Sequence, residues 1–167
     1  MHFLAKILIN EENLNKKDDQ HICYLAEEEL DDFYDKAFDW RESDAGRWED
    51  EYPNNVLRAS DNLEKIISIL SEHITNRNAE LSFHLESIKK QSNVNLDSVV
   101  NKFINNDDLC DTPYHLSVIN SILLNEFGID NHLLNTETGD ATITKELFEE
   151  IKQNPENYAL VLFDCHW

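Results

Sequence analysis

Residues 158 to 163, Tyr-Ala-Leu-Val-Leu-Phe, form an apolar run with no polar interruption. A run of this length and branching fits a strand covered on both faces, which demands hydrogen-bonding neighbours on its edges and an apolar layer on each side. At the other end of the chain, residues 2 to 9, HFLAKILI, have the composition of a second strand. Residues 21 to 26, HICYLA, read as a third after the polar loop EENLNKKDDQ. The C-terminal strand is expected between these two, and VLRA at 56 to 59 is read as an extended piece that joins the same sheet.

The remaining sequence is helical in pattern. Asp61 followed three residues later by Glu64 resembles a capping box, and Leu63, Ile66, Ile67, Leu70 and Ile74 then make an apolar stripe. A second helix is expected from Arg77 to Gln91, with Leu81, Leu85 and Ile88 on one side. A third starts at the Asn95 cap with Leu96, Val99, Val100 and Phe103 inward. Thr112 and Pro113 sign the start of a fourth, whose stripe of Leu116, Ile119, Leu123 and Phe127 stops at Gly128. Residues 129 to 141 show no period. Lys145 to Gln153 reads as a short helix carrying Leu147, Phe148 and Ile151, ended by Asn154-Pro155. The expected architecture is α+β: a single globular domain over residues 1–167, with a small sheet built from both termini and five or six helices. Leu63, Ile66, Leu70, Leu116, Ile119 and Leu123 are expected to share one core with the C-terminal strand.

Charge is where this chain departs from an ordinary domain. It carries 34 acidic against 14 basic residues, a formal net charge of -20, well beyond the magnitude of about 2 to 8 that suits a small soluble domain. Self-repulsion of this size weakens the compact state. It points to a basic partner and argues against direct binding of nucleic acid or of an anionic membrane. No window approaches the ~18 apolar residues of a membrane span, and the N-terminus lacks the pattern of a signal peptide. Cys23, Cys110 and Cys165 are an odd number with no CxxC pair, which suits free thiols in a reducing cytoplasm.

The charge peaks in residues 27 to 51, EEELDDFYDKAFDWRESDAGRWEDE, where 12 of 25 positions are Asp or Glu. At helical spacing Leu30, Phe33, Tyr34, Ala37 and Phe38 share one side, while Glu28, Asp31, Asp32, Asp35 and Asp39 share the other. A helix from Glu27 to Trp40 with a carboxylate face is therefore expected. Beyond it, Glu42, Asp44, Glu49, Asp50 and Glu51 continue the charge through a loop that holds Trp40, Trp48 and Tyr52, with a turn at 44 to 46. Tryptophan amid charge is the composition of a binding anchor, and these acids with Trp40 and Trp48 form the expected partner-binding surface. Steps of i to i+4 advance about 6 Å along a helix, near two phosphate steps of about 3.4 Å. The row Asp31, Asp35, Asp39 thus has the spacing to imitate a phosphate backbone, or to meet the lysines and arginines of a basic protein.

Catalytic and metal chemistries find little support in the residue spacing. His21/Cys23, Glu72/His73 and Cys165/His166 lack ligand spacing, and the cluster Asp107, Asp108, Cys110, Asp111 and His115 reads as polar ends and caps between helices. Cys165 and His166 point to opposite faces of a strand, whereas His21 and Cys23 would share one. Three glycines leave no phosphate-cradling loop. No metal, cofactor or enzymatic activity is expected. The first functional reading is an acidic cytoplasmic inhibitor of immunity-protein character that binds a basic protein, either a nuclease-type toxin or another nucleic-acid-binding protein. A DNA mimic that blocks restriction or another nucleic-acid-directed defence system is the second, and a metal-dependent or thiol enzyme the third.

Overall fold

Strand β5, Tyr158–His166, is buried at eight of its nine positions and lies inside the sheet. In the computed structural model, which describes residues 1–34, 36–91, 111–128 and 131–167, β5 pairs antiparallel with β1, His2–Asn10, along its whole length. Its other edge carries β2, Trp40–Arg41, and β3, Val56–Arg58, both antiparallel. The far edge of β1 holds β4, Leu133–Asn135, in parallel register, so the fold is α+β with a mixed five-stranded sheet. β4 falls in the stretch that shows no period. Three residues are too few to show one, and only their register against β1 makes them a strand.

The expected strand at 21 to 26 is instead part of helix α1, Asp19–Asp31. The Asp18 side chain accepts a hydrogen bond from the His21 backbone N–H at 2.8 Å, which caps the helix well before the acidic run. Ile22, Ala26 and Leu30 are its buried residues. Their i, i+4, i+8 spacing is helical, so the apolar residues read as a short strand belong to a stripe that continues into the acidic stretch. The helix stops at Asp31, far short of Trp40.

Alternation along β1 and β5 sends side chains to two apolar layers. Phe3, Ala5, Ile7 and Ile9 with Val161, Phe163 and Cys165 pack against α1. Leu4 and Leu8 with Leu160 and Leu162 pack against α2, Ala59–Gln91, through Ile66, Ile69 and Leu70, and against α4, Lys145–Gln153, through Leu147 and Ile151. Thr144 caps α4, accepting from the Leu147 N–H at 3.1 Å. Where two helices were expected, with a break before Arg77, α2 runs unbroken over residues 63–91 beyond a kink at Asn62. No glycine or proline interrupts it, and its one non-helical residue is Asn62, near its start.

α3, Asp111–Leu123, packs against α2 with a stripe different from the expected one. Leu116 and Leu123 are exposed, while His115, Val118 and Ile122 are buried. Nδ1 of His115 sits 2.6 Å from Nδ1 of His84 on α2, and this polar contact helps fix which side of α3 turns inward. The helix ends without Gly128. Asn125, at φ 54, takes the left-handed conformation just beyond Leu123, a role that asparagine tolerates. The helix expected from Asn95 lies outside the described residues, which contain four α-helices rather than five or six.

β2 and β3 behave as two parts of one interrupted edge strand. Glu42 N–H donates to Asp164 O at 2.8 Å, Asp164 N–H to Asp44 O at 3.0 Å, and Leu162 N–H to Asn55 O at 2.9 Å. Between Asp44 and Asn55 the chain leaves the edge and folds over the α2 side of the sheet, where Ala45 and Tyr52 are buried.

Candidate functional site

Because α1 ends at Asp31, the acids from Glu28 to Asp39 do not share one helical face. Glu28 lies on α1 and accepts from the Tyr24 hydroxyl at 2.5 Å. Asp31, the last helical residue, pairs with Arg41 Nη1 at 2.5 Å, and Asp32 is exposed just past it. Asp35 lies outside the described residues. Asp39 follows the buried Ala37 and Phe38, which draw the chain down to the sheet edge. Its Oδ1 sits 3.0 Å from His166 Nδ1, and that hydrogen bond leads in holding its carboxyl below the usual range. Tyr34, expected in the core, is exposed with its ring edge-on to Phe38.

Past β2, the excursion from the sheet edge makes a tight turn. Asp44 accepts from the Gly46 N–H at 2.8 Å, and Gly46–Trp48 form one 3-10 turn. Gly46 has a φ of +48, and a Cβ there would fall 2.5 Å from Asp164 Oδ2. Both the turn and the close approach require glycine. Asp164 is 2% exposed. Its Oδ2 accepts from the Arg47 N–H at 3.2 Å, and its Oδ1 lies 2.8 Å from His2 Nδ1. A carboxylate only accepts, so this contact places the proton on Nδ1 of His2.

The turn divides the open part of the sheet face into two clefts, and His2 lines both. The first, about 540 Å³, is walled by Trp40, Glu42, Asp44 and Glu49, with Arg47 and the buried Asp164 completing it. Four of the residues selected from sequence thus meet here. Trp48 and Glu51 line the second cleft instead. Asp50 is exposed and lines neither, while Glu28, Asp31 and Asp32 stay on or beside α1. Sequence reasoning missed His2 and Asp164. The signal available for Asp164 was a charged residue directly after the apolar run Tyr158 to Phe163.

The second cleft, about 530 Å³, lies between β1 and α2. Lys6 enters it from the middle of β1, on the same face as Leu4 and Leu8 and in register with Leu133 and Leu162. Burial lowers the Lys6 pKa, an effect that Glu72 and Glu51 partly oppose. Burial also takes His73 down to about 4, with Lys6 and Arg77 adding to the shift. Arg77 Nη1 donates to Asn125 Oδ1, while Arg77 Nε and His73 Nε2 are buried without a hydrogen-bond partner among the described residues.

The thiols are poorly placed for chemistry. His21 and Cys23 lie on a helix rather than a strand, so two residues of separation puts them on different sides. Burial raises the Cys23 thiol and pushes Cys165 up to about 12, away from the thiolate that a nucleophile needs. Cys110 lies outside the described residues, as do Asp107 and Asp108. Among the described residues, no three His, Cys, Asp or Glu side chains are grouped to hold a metal ion. No helix among them is long and apolar enough to cross a membrane. No protein-family model matches the chain, and comparison with curated proteins and with solved structures returns no similar protein.

Proposed function

We propose that the protein is a cytoplasmic inhibitor of immunity-protein character, which binds a basic protein partner such as a nuclease-type toxin through the cleft bounded by Trp40, Glu42, Asp44 and Glu49. What supports this reading is that three exposed carboxylates surround a cleft whose rim is a tryptophan 43% exposed. A lysine or arginine entering between those carboxylates would lay its methylenes and charge against the indole, a contact worth about 0.5–2 kcal/mol. Close charge pairs at an interface couple by roughly 1.5–7 kcal/mol, and a chain charge of -20 steers a cationic partner inward, raising on-rates by about 10- to 10³-fold at low salt.

Among the described residues Glu42, Asp44 and Glu49 form no ion pair of their own, unlike Asp31 and Asp39. Their charge remains available to a partner. The helical row through Asp31 and Asp39, which served the DNA-mimic alternative and the basic-partner reading alike, does not form, because α1 ends at the first of these.

The test is capture of partners from native lysate at low salt, using wild type and the triple variant Glu42→Gln, Asp44→Asn, Glu49→Gln, with a thermal melt of each. The variant should melt within a few degrees of wild type and lose a basic partner that wild type retains. A partner held equally by both, or one whose capture is unaffected by high salt, would defeat the proposal.

A further inference from the structure

The cleft between β1 and α2 presents a different problem. In a chain with 34 acids against 14 bases, a cation inside a cleft would be expected to find a carboxylate, because buried charges are ordinarily paired. The Lys6 ammonium makes no hydrogen bond or ion pair among the described residues. Among the described residues Arg77 has no carboxylate within ion-pair distance, and its one side-chain hydrogen bond goes to the neutral Asn125. Yet Glu51, Glu72 and Glu80 line the same cleft, the first two near enough to act on Lys6 electrostatically. Charges of both signs therefore share one concavity, with Lys6 and Arg77 in no ion pair among the described residues.

Lys6 makes the arrangement harder to explain as ordinary packing. It occupies the inward row of a central strand between Leu4 and Leu8, opposite leucines on both neighbouring strands, where an aliphatic residue would fill the space without desolvating an amine. The remaining walls include Trp48, Tyr52 and Ile69. A cleft of about 530 Å³ falls in the 300–1,000 Å³ range of small-molecule sites.

We infer that this cleft binds a small zwitterion of the free amino-acid class, its carboxylate held by Lys6 and Arg77, its ammonium by Glu72, and its side chain against Tyr52 and Ile69. A simple anion such as phosphate would satisfy the cations but face the carboxylates of Glu51 and Glu72. A simple amine would meet the reverse difficulty. Only a ligand carrying both charges offsets both sets. This site is separate from the acidic cleft across the Gly46–Trp48 turn, and the inference does not depend on the partner proposed there.

The test is a thermal-shift and amide-NMR titration of the full chain with each of the standard amino acids, with inorganic phosphate and with butylamine as single-charge controls. At least one amino acid should raise the melting temperature and move the amide signals of residues around Lys6 and His73, while neither control does. Lys6→Met and Arg77→Met should each weaken that binding about tenfold or more, as expected for loss of a charged hydrogen bond. The exposed Glu72→Gln gives a variant expected to fold normally and to lose affinity likewise. If no amino acid moves those signals in wild type, the inference fails whatever the variants do. Binding of phosphate or butylamine as tight as that of any amino acid, or amino-acid binding unchanged in Glu72→Gln, would overturn it equally.

Discussion

The imidazole of His2 and the carboxylate of Asp164 meet at 2.8 Å across β1 and β5, where the two clefts adjoin. Leu4 stands opposite Asp164 in the register, so the pair is a diagonal cross-strand contact on one face of the sheet. Asp164→Ala should cost about 1–3 kcal/mol, since it strands His2 Nδ1 and the Arg47 N–H. In a urea double-mutant cycle, His2→Ala and Asp164→Ala should couple by roughly 0.5–3 kcal/mol. Additive effects would mean that the two residues stabilise the sheet independently.

Gly46→Ala tests whether Asp164 also anchors the turn. The residue would sit at φ +48 with its methyl 2.5 Å from Asp164 Oδ2. Left-handed backbone alone costs about 1–2 kcal/mol, and displacing a buried carboxylate adds to it. The midpoint of urea unfolding should fall by an amount equivalent to about 2 kcal/mol or more. In the background of Asp164→Ala the same substitution should cost distinctly less.

His73 gives a pH dependence of definite sign. Its pKa in the folded protein is about 4, against 6.5 ordinarily, so between these values the unfolded chain binds the proton and the folded chain does not. Stability therefore holds above pH 6.5 and declines as the pH falls toward 4, by at most about 3 kcal/mol and by less where water reaches the cleft. Urea midpoints at pH 7 and pH 5 should separate less in His73→Leu than in wild type. Equal separation would show that His73 titrates normally in the fold.

Deleting residues 158–167 should abolish cooperative folding, because β5 is the strand that β1, β2 and β3 all pair with and its side chains enter both apolar layers. A truncated chain that still gave a sigmoidal melt by circular dichroism would show that the helices hold a core without the sheet.

Sequence by itself determined the elements whose signals are local. The apolar run at 158–163 announced a strand inside the sheet, residues 2 to 9 its neighbour, and Lys145 to Gln153 a short helix stopped at Asn154-Pro155, because burial on two faces, an apolar stripe and a proline leave marks within a few residues. It also determined the density of charge between residues 27 and 51. The tertiary structure decided where that charge goes. Ala37 and Phe38 belong to the core beneath α1, and the hydrogen bonds of Asp39 and Glu42 run to residues 166 and 164, more than a hundred positions away. A periodicity window cannot register partners at that distance, so a helical reading of 27 to 40 competed unopposed. The same holds for the clefts. Lys6 and Arg77 come to one cleft only when α2 packs on β1, and Trp40 and Asp164 only when β2 pairs with β5, since convergence of side chains is a property of register and packing rather than of spacing along the chain.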